Sequence, residues 1–414
     1  MIPFKHVFKE LFSERTRILL TILAVAWGTA SITIMLALGE GLRLTFGRAM
    51  NGMGNGILVV NRGQTSRAYG GLPEGHKIRL TEDDLRAVRT AVPEIAEISG
   101  EYASGKSMRT ASKWRSGRVV GVEPAFGSIR NVAPSPGGRF INQRDIERRR
   151  RVVMLGTQAV KELYEKGEDP VGTCVEIDGR PFLVVGVMQK KFQSSCYGGP
   201  DYGHVWIPGT TYKAMFGARD YRNWVVKPHR PEQMETIKTR IREILAANHG
   251  CDPTDKDIVR YWDALKMQET SNAVFYGFQT FLGIIGALTL IVAGVGIANV
   301  MYVSVSGATR DIGIRMAVGA KGYQVLTQYV LEALAATAIG GLVGLAISQG
   351  VVSLVGLIPM SGDFFEFVGK PVPILSGVVA AVVIGILGLI GFLAGLFPAR
   401  RAAQVDPAEA LRYE

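Results

Sequence analysis

Four stretches of the chain contain no Asp, Glu, Lys or Arg: residues 18–39, 273–306, 333–362 and 371–399. A helix rises about 1.5 Å per residue, and about 20 apolar residues cross the hydrocarbon core of a bilayer. Each stretch is long enough, and none has the polar face that a soluble helix of that length would carry. The pattern predicts four membrane helices, over residues 18–39, 273–305, 323–357 and 373–397. Short linkers separate the last three: an elbow over 306–322 and a loop over 358–372.

Between the first two stretches, polar and apolar residues alternate at short range over about 230 residues, enough for a folded domain of its own. Residues 56–61 (GILVVN) read as a strand and the Gly-, Ser- and Pro-rich 64–77 as a loop. Thr81 followed by Glu82, Asp83 and Asp84 is a helix start, since a hydroxyl and early carboxylates satisfy the free N–H groups there. Leu85, Val88 and Val92 give that helix its apolar face, and Pro93 stops it. Short strands are expected at 95–99, 107–112, 118–122 and 152–155, with a helix over 157–164. Residues 173–177 and 182–187 flank Asp178-Gly179, a type I′ hairpin signal. A periodic helix spans 234–247. The fold class is therefore a membrane protein: four transmembrane helices, with a large α+β extracytoplasmic domain of two subdomains, residues 40–272, between helices 1 and 2.

Charge sets the orientation. Residues 1–17 carry Lys5, Lys9, Arg15 and Arg17, the elbow carries Arg310, Arg315 and Lys321, and the tail over 398–414 carries Arg400, Arg401 and Arg412. Short loops rich in Lys and Arg stay in the cytoplasm. Both termini and the elbow are thus expected in the cytoplasm of a bacterial inner membrane, with the large domain periplasmic. Phe4, Val7, Phe8, Leu11 and Phe12 make residues 1–17 an amphipathic helix suited to the membrane lipid interface. The first apolar stretch exceeds a signal-peptide core, and Leu38-Gly39-Glu40-Gly41 is a poor cleavage site, so it is expected to remain as an anchor.

The net charge of +11 lies mainly in the outer domain, where residues 39–272 hold 36 Lys and Arg against 27 Asp and Glu. The run Arg148–Arg151 has no interleaved aromatics and reads as a solvated face, with no nucleic acid implied. Cys174, Cys196 and Cys251 fit no metal spacing; one disulfide among them is allowed. His76, His204, His229 and His249 are scattered, and neither H-E-x-x-H nor G-x-S-x-G occurs. No catalytic, metal-binding or cofactor-binding residue is assigned. Nor does the sequence contain the phosphate-binding loop G-x-x-x-x-G-K-[ST].

Small residues mark packing faces in the membrane helices: Gly294 and Gly296 in the second, Gly340 and Gly344 in the third, Gly391 and Gly395 in the fourth. Glu332 is a carboxylate inside the third span. It is a functional candidate by position, though about 13 Å of helix from Tyr323 leaves it within reach of an interfacial pairing with Arg315 or Lys321.

Residues 292–305 (VAGVGIANVMYVSV) and 307–320 (GATRDIGIRMAVGA) closely resemble the end of the second membrane helix and the following elbow of the MacB/FtsX-type permeases of ABC transporter systems, which include the lipoprotein-releasing permeases. In that family an ERTREIGIR-like segment follows a VGGIGIMNIMLVSV-like run; Gly307 stands where it commonly has a charge. Residues 395–412 (GLFPARRAAQVDPAEALR) resemble its tail pattern. Residues 80–99, 121–124, 138–140, 152–156 and 169–172 resemble its outer domain more loosely.

The resemblance implies a permease subunit that binds no cofactor, is not an enzyme, and is coupled to a separate cytoplasmic ABC ATPase that uses ATP. It implies a homodimer or a pairing with a related permease, and names a periplasmic adaptor and an outer-membrane channel as further candidate partners. The elbow then looks like a coupling helix, with Ile312 and Ile314 in an ATPase groove and Arg310, Asp311 and Arg315 at the rim. ATP-driven motion would pass through helices 1 and 2, continued outward as a stalk, to drive export. The alternative is an FtsX-like regulator signalling to an extracytoplasmic partner such as a cell-wall hydrolase; the size of the outer domain favours the first reading. Cargo is not legible.

Orientation is directly testable. With Cys174, Cys196 and Cys251 replaced by Ser, Lys321→Cys should react only with a membrane-permeant maleimide, whereas Arg67→Cys should also react with an impermeant one. Impermeant labelling at position 321 in sealed cells would invert the topology.

Overall fold

The structure is a computed structural model, and it describes residues 15–193, 197–359, 362, 365 and 368–404. The expected amphipathic helix over 1–17 lies almost wholly outside these residues, as do Cys196 and the end of the tail.

Helix α1 (Arg15–Asn51) continues well beyond the apolar stretch. Then follow β1 (Leu58–Arg62), α2 (Glu82–Ala91), β2 (Ile95–Arg109), β3 (Trp114–Val122), α3 (Ala125–Ile129), α4 (Gln143–Glu147), β4 (Val152–Leu155), α5 (Thr157–Leu163), β5 (Cys174–Ile177), β6 (Arg180–Val187), β7 (Val205–Pro208), α6 (Gly209–Phe216), β8 (Asn223–Pro228), α7 (Met234–His249) and β9 (Val259–Asp263). Helix α8 (Ala264–Gly307) begins at the residue after β9, and α9 (Thr309–Ala317), α10 (Gly322–Leu357) and α11 (Gly377–Ala403) complete the order. Among the described residues four helices, α1, α8, α10 and α11, are long and apolar enough to cross a membrane. Two compact units result, one of residues 1–45, 272–360 and 370–414, the other of residues 46–271 and 361–369.

In the helical unit, glycines let backbones approach. A Cβ on Gly340 would lie 2.7 Å from Val25 Cβ, and one on Gly344 2.6 Å from the Ala26 carbonyl, so this pair seats α10 on α1. Gly391 and Gly395 meet Thr337 and Ala333 in the same way and seat α11 on α10, while Gly294 faces Ile390 of α11. Gly296 differs: nothing lies within 4 Å of its added Cβ. Buried hydroxyls close locally. Thr29, Thr337 and Ser348 each donate to the carbonyl four residues back, which removes unpaired donors from an apolar setting.

The outer unit is one nine-stranded sheet in the order β3-β7-β4-β6-β5-β2-β8-β1-β9, with β2 also paired to β3. Strands β2, β3, β7, β4, β6 and β5 therefore close a circuit, and β8, β1 and β9 extend the sheet to an open edge. Strand β2 joins these two regions of the one sheet. Where three short strands were expected between 95 and 122, two long ones form a hairpin. The polar run GEYASGK reads as a break, yet its Glu101 is buried and satisfied, accepting hydrogen bonds from Arg118 Nη2 at 2.9 Å and Asn223 Nδ2 at 2.8 Å. Strands β7, β8 and β9 and helix α6 were not anticipated.

Local signals elsewhere hold. Thr81 and Asp84 form a reciprocal capping box at α2, whose Leu85 and Val88 are buried. Asp178 and Gly179 both take positive φ, +47° and +71°, as a type I′ turn requires. Cys174 is exposed and Cys251 buried, and both are free thiols.

Gly344→Leu should drive a side chain into the α1 backbone and destabilise the helical unit by about 1–3 kcal/mol, read as a lowered melting temperature of the detergent-solubilised chain. Gly296→Ala should leave that temperature unchanged. Equal behaviour of the two would refute the packing assigned to Gly344.

Candidate coupling site

The elbow is a short helix with two unlike faces. Helix α9 follows Ala308 directly, with Ile312 N donating to Ala308 O at 2.9 Å. It ends where Ala320 N donates to Arg315 O at 3.0 Å and Gly319 takes φ +105°, a left-handed stop that a side chain would strain. Ile312 is only 3% exposed and shares a core cluster with Val305, Val325, Tyr329, Ala399 and Ala402. It therefore does not reach a partner: the expected pair of docking isoleucines is split, because their spacing of two puts them on opposite sides of a helix. Ile314 is 44% exposed, and Val318, which sequence reasoning passed over, is 85% exposed. Its signal was an apolar residue in a charged elbow with no periodic reason to be buried.

Arg310, Asp311 and Arg315 are exposed around this apolar pair. Arg315 Nη1 donates to Gln328 Oε1 of α10 at 3.3 Å. Glu332, half-buried on α10, lies one turn beyond Gln328. The tail motif explains itself here. Ala399 and Ala402 are fully buried in the same cluster as Ile312, and Arg401 lies over the Tyr302 ring at 4.8 Å, a cation–π contact from α11 to α8. Larger residues at 399 or 402 would displace the floor on which the elbow rests.

The outer unit has its own junction, at the end of α1. Gly52 approaches Phe192 so closely that an added Cβ would stand 1.8 Å from its carbonyl oxygen, and Gly54 turns the chain at φ +114°. Arg130, fully buried, donates to Met53 O at 2.7 Å and to Asp201 Oδ1 at 2.8 Å, while its guanidinium lies 4.7 Å from the Tyr197 ring centre. Lys191 Nζ reaches Asp201 Oδ2 at 2.7 Å and donates to Arg130 O at 2.8 Å. Asn131 Nδ2 donates to Asn51 O at 2.9 Å, covering a terminal helix carbonyl. Burial resists ionisation of Asp201, but Arg130 and Lys191 override it and hold the carboxyl at about 2. Burial, reinforced by Arg130, pulls Lys191 below the usual ammonium range, and burial likewise lowers neighbouring His204.

Beyond Gly54 the chain enters β1, which pairs with β9, Leu58 opposite Asp263. Helix α8 starts at Ala264, whose N–H donates to Ile57 O at 3.0 Å, and Asp263 Oδ1 accepts from Leu265 N and Lys266 N as its cap. The two helices flanking the outer domain thus lead into neighbouring strands of one sheet, α8 directly and α1 through the turn over residues 52–57.

Residues 18–244 match the MacB-like periplasmic core domain, and residues 283–407 the FtsX-like permease C-terminal region. The chain belongs to the MacB/FtsX-type ABC transporter permease family. Among its relatives, MacB of Rhodospirillum rubrum, a macrolide export ATP-binding/permease protein, is 32% identical over 412 residues, 99% of this chain and 60% of that protein. MacB of Bdellovibrio bacteriovorus, which has the same description, is 28% identical over 410 residues, 98% of this chain and 61% of that one. The ABC transporter permease YknZ of Bacillus subtilis is 27% identical over 413 residues, 99% of this chain and 98% of YknZ. The chain spans about 60% of the length of these MacB relatives and nearly all of YknZ. As a member of the family it is an ABC transporter permease, a multi-pass membrane protein with an extracytoplasmic domain.

The buried cluster at the α1 junction sets a pH dependence. A carboxyl held below its unfolded value contributes stability that is complete above about pH 4 and lost as pH falls toward 2. Asp201→Asn should leave two buried cations uncompensated and cost about 3–5 kcal/mol at pH 7, with less further loss between about pH 4 and 2. Denaturant titration of the full chain, followed by the fluorescence of buried Trp206 and Trp224, checks both. An unchanged midpoint at pH 7 would mean that the cluster does not secure the junction.

Proposed function

We propose that this chain is the permease subunit of an ABC export system and works by mechanotransmission. A separate cytoplasmic ATPase docks on the elbow, and its ATP-driven motion passes through α1 and α8 to the periplasmic domain. The observation that carries this reading is the way both helices lead into adjacent hydrogen-bonded strands, α8 directly from β9 and α1 through a six-residue turn whose Met53 carbonyl is held by Arg130: a displacement of α1 against α8 is passed to one strand pair. The chain acts as a dimer, through the face of α8 that bears Leu288, Val292, Val295 and the unobstructed Gly296, all without cover among the described residues. Both termini lie in the cytoplasm. A periplasmic adaptor and an outer-membrane channel complete the path out of the cell.

The ATPase surface is the apolar pair Ile314 and Val318, rimmed by Arg310, Asp311 and Arg315. Val318→Glu and Ile314→Glu should each weaken ATPase association about tenfold or more, and Arg315→Glu less. Co-purification from detergent extracts, followed by measurement of ATPase affinity, checks this. Ile312→Glu is uninformative because Ile312 supports the elbow itself. Unchanged affinity in both apolar variants would move the docking surface elsewhere. Recovery of a cell-wall hydrolase and no ATPase would instead favour an FtsX-like signalling role.

A further inference from the structure

In the outer unit, beside the open β1–β9 edge, lies a cleft of about 740 Å³. Its charged and titratable lining consists of Arg62, His76, Lys77, Arg79, His249 and Arg260, and no Asp or Glu lines it. Arg62 is the last residue of β1, and Arg260 sits on β9, where it pairs with Asn61. Lys77 is brought opposite Gln64 by an isolated antiparallel bridge that folds the 64–77 loop back over the strand end. Gly63 lets the backbone leading into β9 pass close to the end of β1: an added Cβ would stand 2.0 Å from the Asp257 carbonyl oxygen.

These cations lack counter-charges. Among the described residues Arg62, Lys77 and Arg260 make no ion pair and no side-chain hydrogen bond. Arg79 has only a long contact to Asp220, 3.8 Å. The carboxylate behind the cleft, Asp84, is buried and already committed. It accepts from Thr81, Asn248 and His249, and its last two partners lie 2.7 and 3.0 Å away. Elsewhere in this domain basic side chains do find acids, as Arg67 finds Asp252 and Lys106 finds Asp178. Like charges gathered in one concavity repel each other, and the arrangement is relieved by an anion with several acceptor oxygens, for which arginine forks are well suited. The volume exceeds that of a bare oxyanion and is in the range of organic ligand sites.

We propose that this cleft binds a phosphate-bearing ligand of headgroup size, with Arg62, Lys77 and Arg260 as the anion-binding side chains. The site does not depend on the coupling role proposed for the helices.

The full chain in a neutral detergent at about 50 mM chloride is titrated calorimetrically with inorganic phosphate and, separately, with dihexanoylphosphatidylglycerol, which is monomeric in water. Saturable binding of at least one probe is expected, weakening as chloride is raised. The double variant Arg62→Gln, Arg260→Gln should bind about tenfold or more weakly, since charge-assisted hydrogen bonds are lost, and Lys77→Gln alone should lose several-fold. A lipid probe much tighter than phosphate identifies a headgroup as the source; equal affinities identify free phosphate. All three side chains are exposed and unpartnered, so the variants should keep the wild-type melting temperature. If the double variant does not, Lys77→Gln decides. Arg148→Gln, Arg150→Gln, in the exposed basic run, is the control. No saturable binding of either probe, or an equal loss in the control, overturns the proposal.

Discussion

The antiparallel pairing of β1 with β9 is the constraint on which the molecule depends. One strand is separated from α1 only by a short glycine turn, and the other runs into α8 without a linker. Because the backbone hydrogen bonds of the pair fix their register, the outer ends of the two helices are held to one edge of one sheet. The remainder of the outer unit serves that edge. Strand β8 backs β1, the long β2 joins β8 to the closed circuit of strands, and the Arg130–Asp201–Lys191 cluster locks the turn after α1. A buried charge cluster is a poor source of net stability. Its value lies in direction, since Arg130 binds the Met53 carbonyl only if the end of α1 is correctly placed.

At the elbow a similar division of labour applies on a smaller scale. Ile312 faces inward and ties α9 to α8, α10 and α11. Ile314 and Val318 face outward, uncovered among the described residues. The alanines of the tail motif look featureless in sequence, yet they form the floor beneath Ile312, where only small side chains leave room for the elbow to seat. A segment anchored on one side and apolar on the other is what a transmission element requires: it must be rigid to its own helices and adhesive to a partner.

The family resemblance and the structure speak to different levels. The resemblance identifies an ABC transporter permease. The geometry identifies which residues are free to meet a partner, and it adds a basic cleft at the β1–β9 edge that no motif announced. That cleft is next to the strands that receive the helices, so a ligand held by Arg62 and Arg260 would sit on the β1–β9 pair itself.

The sequence by itself determined the four membrane helices, because charge-free runs of that length have no other stable solution in a bilayer. It determined the α2 capping box and the Asp178-Gly179 hairpin, because these depend on a few adjacent residues. It also marked Gly340, Gly344, Gly391 and Gly395 as packing positions. Only the tertiary structure decided which helix each glycine meets, that Gly294 packs while Gly296 does not, and that Ile312 and Ile314 part company. It alone joined 95–109 into one strand, since a buried Glu101 is tolerated only where Arg118 and Asn223, distant in sequence, come to satisfy it. Strands β7 and β8 escaped because they are buried on both faces, which hides any alternation, and β9 because it is a short edge strand that only its pairing with β1 defines. Local chemistry is written in neighbouring residues. Partners, faces and counter-charges are set by long-range contacts, which is why the unpaired arginines of the cleft became visible only once the chain was folded.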